Sequence, residues 1–116
     1  MRQEELTFDE PSPAPIATAE EVEWLVMLLR GKGWMKAAQI EIAARGTKNE
    51  RKIRAIARAA APGIVSYPGS PGYKLWVECS VEELNHCLNA WDSQIRDNTV
   101  RRTLYSRAYH ARFPGL

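Results

Sequence analysis

A chain of 116 residues, 45% of them hydrophobic and 26% charged, holds enough apolar material for one domain of about 70 to 100 residues plus tails, with no need of a disulfide framework. No apolar run approaches the roughly 20 residues of a membrane span, and two cysteines, Cys79 and Cys87, without a CxxC pair or a signal-peptide pattern, fit a soluble protein of the reducing cytoplasm. The net charge of +2 hides segregation: residues 1–23 carry seven acidic side chains and one basic, residues 24–62 nine basic and two acidic, residues 63–95 four acidic and one basic, and residues 96–116 five arginines and one aspartate.

Residues 1–17, with Pro11, Pro13 and Pro15, several acids and little apolar content, are expected to be an acidic, flexible tail outside the core. Thr18 followed by Glu21 is a capping-box pattern, and Val22, Leu25, Val26, Leu28 and Leu29 supply the apolar face of a first helix that Gly31 and Gly33 end. Trp34 and Met35 make a very short extended stretch. A second helix over residues 37–45 turns Ile40, Ala43 and Ala44 inward and Ile42 outward, with Lys36 where a capping Ser or Thr is expected and Gly46 as the left-handed residue after its end.

Thr47 and Glu50 give another capping box, with Asn49 as the competing cap, opening a third helix over residues 48–61 that stops before Pro62 and Gly63. At 100° per residue, Ile53, Ile56, Ala57 and Ala60 form a core stripe, and Lys48, Arg51, Arg54 and Arg58 gather on the far side around Ala55. Residues 64–67 and 73–77 are strand-like, and Pro68, Gly69, Ser70, Pro71 and Gly72 between them make a turn, so residues 64–77 read as a hairpin.

Ser80 and Glu83 open a long helix bearing Leu84, Leu88, Trp91 and Ile95 at spacings of 4, 3 and 4. Beyond Ile95 the apolar register passes to Val100, Leu104, Ala108 and Tyr109, which leaves one bent helix or two as alternatives for residues 80–113. A single helix to Arg112 would reach about 48 Å, longer than the domain that it leaves. Its expected cover is a dimer seam on Leu84, Leu88, Trp91 and Ile95. The rival is nucleic acid or another protein along Arg101, Arg102, Arg107 and Arg112.

The segments GWMKAAQIEIAARG, NERKIRAIARAA and PGYKL, within residues 33–75, resemble small winged helix-turn-helix proteins, especially phage-encoded ones. The resemblance covers a little over a third of the chain and departs from the pattern at Lys36 and in the extra residue of Thr47-Lys48-Asn49. Joined to the elements read from the residues, it gives a mainly α fold with a small β hairpin, divided into a tail (1–17), a winged helix-turn-helix (18–79) and a C-terminal helical extension (80–116). It also implies that the helix bearing Arg51, Arg54 and Arg58 enters the major groove while the hairpin reaches the flanking backbone.

The expected DNA-binding set is Lys48, Arg51, Lys52, Arg54, Ala55, Arg58 and Lys74. Sequence reading falls on Arg51, Arg54 and Ala55, since arginine forks suit phosphate oxygens and guanine edges. Neutralising about 4 to 5 phosphates predicts a log–log salt slope near −4 per monomer. The expected function is sequence-specific binding of double-stranded DNA by a homodimer, as a transcriptional or replication regulator of phage type. Two alternatives stay open: a winged-helix protein-interaction module that does not bind DNA, and RNA or nucleoprotein binding through the terminal arginines.

Catalysis has little support. Gly31-Lys32-Gly33 lacks the spacing of a phosphate-binding loop, Glu82 and Glu83 suit a helix's first turn, and no Ser/His/Asp or Cys/His set shares a pocket. His86 and His110 lack the close partners of a metal site. Neither an enzyme, a cofactor nor a bound metal is expected. Trp24, Trp34, Trp76 and Trp91 are expected mainly in the core, and Tyr105 and Tyr109 along a helix seam.

Overall fold

The computed structural model describes residues 16–115; the expected tail lies outside them up to residue 15. Helix α1 (Ala19–Leu29) starts where the sequence predicts: the Glu21 N–H donates to Thr18 Oγ1 at 3.1 Å and the Thr18 N–H to Glu21 Oε1 at 2.9 Å. Two orphan donors of the first turn are thereby satisfied. Gly31 and Gly33 at positive φ turn the chain out of the helix. Met35 then pairs with Tyr73 as an isolated antiparallel bridge, through N–H···O bonds of 2.9 and 2.8 Å.

That bridge explains Gly72. Its φ is +148°, and a Cβ there would meet the Met35 carbonyl oxygen at 2.2 Å, so the backbones approach this closely only without a side chain.

Helix α2 (Ala37–Ala43) is shorter than the expected 37–45, because Ala44 ends it and Arg45, with φ 54°, leaves the helical region before Gly46. With its axis fixed by Ile40 and Ala44, which are buried, Ala43 is exposed rather than inward, and Ile42 points out as expected. No side chain caps the first turn at Lys36; Gln39 Oε1 accepts from the Lys36 N–H at 2.8 Å, and the Gln39 N–H donates to the Lys36 carbonyl at 3.0 Å.

Helix α3 (Glu50–Ala60) begins two residues later than expected. Asn49 wins the competition for the cap, its Oδ1 accepting from the Lys52 N–H at 2.8 Å, while the Thr47 hydroxyl is spent on the Ala44 carbonyl at 2.6 Å. Its inward stripe holds: Ile53 and Ile56 are fully buried and Ala57 nearly so.

Strands β1 (Ile64–Val65) and β2 (Lys74–Leu75) pair antiparallel, Ile64 with Leu75 and Val65 with Lys74. The regular pairing is shorter than the two apolar runs. Tyr67 already accepts a turn bond from the Ser70 N–H at 2.9 Å, and residues 76–78 close into a 3-10 turn whose Glu78 accepts from the Gly31 N–H at 2.8 Å.

The core joins Leu25 and Leu29 of α1, Ile40 of α2, Ile53, Ile56 and Ala57 of α3, and Ile64, Tyr73 and Leu75 of the hairpin, with Ala17 packed against it. None of the four tryptophans is fully buried: Trp24 and Trp34 are half-buried, and Trp76 and Trp91 are 42% and 46% exposed. A large ring with an N–H to satisfy sits more readily at the rim than at the centre of so small a core.

Helix α4 (Val81–Arg112) is one helix of 32 residues, which settles the choice between one and two. Ser80 and Glu83 form its capping box. The fold is thus mainly α with a two-stranded hairpin and a long C-terminal helix, 58 Å in its longest dimension. No residue of α4 is fully buried, and no helix among the described residues is long and apolar enough to cross a membrane.

Candidate nucleic-acid interface

Burying Ile53, Ile56 and Ala57 fixes the rotation of α3 and sends Arg51, Arg54 and Arg58 to the exposed side, within an arc of about 60° at 100° per residue. Ala55 lies beside them, half-buried. Arg54 Nη2 stands 3.6 Å from Glu50 Oε2, with both side chains more than half exposed. Such a pair contributes little and yields readily to a polyanion. Burial pushes the Tyr73 hydroxyl up, against the pull of the Arg54 charge.

The lysines of the expected set are placed differently. Lys48 Nζ lies over the ring of Trp24, 4.6 Å from its centroid, on the α1 side of α3. Lys52 Nζ pairs with Glu21 Oε1 at 3.1 Å and donates to the Ile16 carbonyl. Its job in the fold is to tie α3 to the start of α1; the Thr18 N–H first, and then this lysine, hold the Glu21 carboxyl below the ordinary carboxylate value.

Lys74 Nζ donates to both oxygens of Glu83 at 2.9 and 3.0 Å, and Trp34 Nε1 donates to Glu83 Oε2 at 2.8 Å. Glu83 also caps α4. The Ser80 backbone first, then Lys74 and Trp34, hold its carboxyl down to about 2, and Lys74 is raised in turn by Glu83. The lysine thus fastens the hairpin to α4.

Beside the arginines, a groove of about 550 Å3 runs between α3, the hairpin and α4, with Arg54 and Arg58 on one side and Tyr67, Pro68, Tyr73 and Trp91 around it. Tyr67 is itself held edge-on by Trp34 and His86, at ring separations of 6.0 and 5.6 Å. His86 therefore has a packing role. Cys79 and Cys87 are free, half-buried thiols that burial pushes up. Among the described residues, no three His, Cys, Asp or Glu side chains converge as a metal site requires.

Arg101, Arg102, Arg107 and Arg112 lie exposed on the half of α4 beyond the body of the fold. Of the expected seam, Leu84 is half-buried, whereas Leu88, Trp91 and Ile95 are 59%, 46% and 61% exposed. Sequence reasoning passed over Glu83 as more than a cap, and over Tyr67 and Tyr73 as walls of the groove. The capping pattern was its one visible signal, and the convergence of Trp34, Lys74 and Glu83 exists only in the fold. No family model matches the chain, and neither a curated protein nor a solved structure matches it.

Proposed function

We propose that residues 18–79 act as a winged helix-turn-helix that binds double-stranded DNA sequence-specifically, in a transcriptional or replication regulator of the cytoplasm. Helix α3 enters the major groove and the turn of the hairpin serves as wing. The observation that carries this reading is the shared, exposed face of Arg51, Arg54 and Arg58 on the helix that follows the α2–α3 turn. Three guanidinium groups on one side of a helix of 11 residues suit phosphate oxygens and base edges.

Lys52 and Lys74 face Glu21 and Glu83, and Lys48 lies over Trp24 on the α1 side, so the cations on the exposed face of α3 are Arg51, Arg54 and Arg58. The salt slope on random duplex becomes about −3 per monomer. Titrating the full chain against random duplex over a range of salt, alongside a variant with Arg51→Glu, Arg54→Glu and Arg58→Glu, tests this. Loss of duplex binding in the variant is expected; unchanged affinity at low salt sinks the reading.

A protein-docking role is the second reading, favoured by the aromatic lining of the groove at Tyr67, Tyr73 and Trp91. It gains if the wild-type chain fails to bind duplex at low salt. If truncation after Ile95 alone abolishes nucleic-acid binding, the terminal arginines become the contact instead.

A further inference from the structure

The long helix carries an apolar edge that the rest of the fold leaves open, and the spacing along that edge has a symmetry of its own. Leu84, Leu88, Trp91, Ile95, Asn98, Arg102, Tyr105 and Tyr109 follow one another at steps of 4, 3, 4, 3, 4, 3 and 4, a heptad seam. The steps read the same from either end. Glu83, His86 and Cys87, which reach Lys74 and Tyr67 or lie half-buried beside them, all fall to one side of the seam, about 100°, 160° and 60° around the helix from Leu84. The seam stays exposed at Leu88, Trp91, Ile95, Tyr105 and Tyr109. Trp91 stands on the border of the two faces, lining the groove beside α3 as well.

Charge is polarised along the same helix. From Val81 to Ile95 it carries Glu82, Glu83 and Asp92 and no Lys or Arg; from Arg96 to Arg112 it carries five arginines and one acid, Asp97. A parallel partner would set five arginines against five arginines. An antiparallel partner sets the acidic half of each copy against the basic half of the other and also opposes the two helix dipoles.

We propose that α4 pairs with α4 of a second copy of this chain as an antiparallel coiled coil, in the register that places Leu84 opposite Tyr109 and Leu88 opposite Tyr105. In that register Trp91 faces Arg102, which can lie over the indole ring with Asp92 beside it. Ile95 faces Asn98 in the two central layers. The two Asn98 side chains then sit in neighbouring layers about the two-fold axis, where a polar residue on an apolar seam fixes register at a cost in stability. Each apolar layer is filled from both copies, as an interface built on two-fold symmetry requires. Val100 and Leu104 project from the opposite side of α4, so the pairing does not use them.

The test uses the full chain without DNA, so its result is independent of the DNA-binding reading. Light scattering at tens of micromolar is expected to give twice the 13.1 kDa chain mass. Leu88→Glu combined with Ile95→Glu should halve that mass while circular dichroism shows the body still folded; Val100→Glu combined with Leu104→Glu should leave it doubled. For orientation, Leu88→Cys and Tyr105→Cys chains are prepared in a Cys79→Ala, Cys87→Ala background and oxidised mildly. The mixture should cross-link and neither variant alone should. A monomeric wild-type mass, self-cross-linking of the Leu88→Cys chain, or a dimer broken by the Val100/Leu104 pair but not by the Leu88/Ile95 pair overturns the proposal.

Discussion

Lys74 Nζ lies 2.9 Å from Glu83 Oε1, so the second strand of the hairpin is bonded to the first turn of α4. The carboxylate also takes the Trp34 N–H and the Ser80 N–H, which together with Lys74 hold it down to about 2 from an ordinary 4.5. A carboxylate with a lower pKa in the folded than in the unfolded chain stabilises the fold fully above the unfolded value. That contribution fades as pH falls through the folded value. The thermal midpoint should therefore drop between pH 4.5 and 2 more steeply in the wild type than in Glu83→Gln. Melts followed by circular dichroism check this, and parallel profiles for the two chains would count against it.

Stability and affinity should separate between the hairpin lysine and the α3 arginines. Lys74 is 15% exposed and held by Glu83, so Lys74→Ala is expected to lower the thermal midpoint while leaving duplex affinity nearly unchanged. Arg58 is exposed on α3. Arg58→Ala should do the reverse, weakening binding to all duplexes alike and reducing the salt slope by about 1. Fluorescence titrations at several salt concentrations distinguish the two. A slope lowered equally by both variants would return Lys74 to the DNA-contacting set.

The start of α3 offers a sharper local test. Asn49 Oδ1 caps the helix while the Thr47 hydroxyl serves the α2 end. Asn49→Ala should cost about 1 kcal/mol and Asn49→Ser only a few tenths, because serine caps almost as well as asparagine. Urea unfolding with a constant m-value gives both numbers. A larger loss from Thr47→Ala than from Asn49→Ala would reverse the assignment.

What the residues revealed in advance follows from how local each signal is. Helices α1, α3 and α4 were legible because a cap and a periodic apolar face lie within one stretch of chain: Thr18 and Glu21 before Leu25, Asn49 before Ile53, Ser80 and Glu83 before Leu84. The hairpin was legible from its Pro/Gly turn. The cap of α3 was ambiguous because Thr47 and Asn49 both offer an oxygen, and the choice depends on whether the hydroxyl is already used by Ala44.

The roles of Lys52 and Lys74 were illegible for a different reason. Their partners, Glu21 and Glu83, lie on α1 and α4, and a charge on a helix or a wing looks alike whether it meets solvent or a distant carboxylate. The tryptophans misled because apolar flanks announce contact with a core without giving depth. Trp34, whose indole N–H reaches Glu83, shows why such a ring stays at the edge.

Joining the two proposals gives a prediction about the DNA itself. Each body holds its own α4 through Glu83, His86 and the border residue Trp91, a patch centred near Cys87. In the antiparallel register, the two patches are about 19 residues apart, or about 28 Å along the paired helices. That is of the order of one turn of B-DNA, about 34 Å. A two-fold dimer presents its recognition helices in opposite senses, so selection from a random duplex pool should recover inverted half-sites about 10 base pairs apart, centre to centre. Leu88→Glu combined with Ile95→Glu should reduce the recovered motif to one half-site with weaker binding. Direct repeats, or a single half-site from the wild-type chain, would break the link between helix pairing and DNA recognition while leaving each to be judged by its own test.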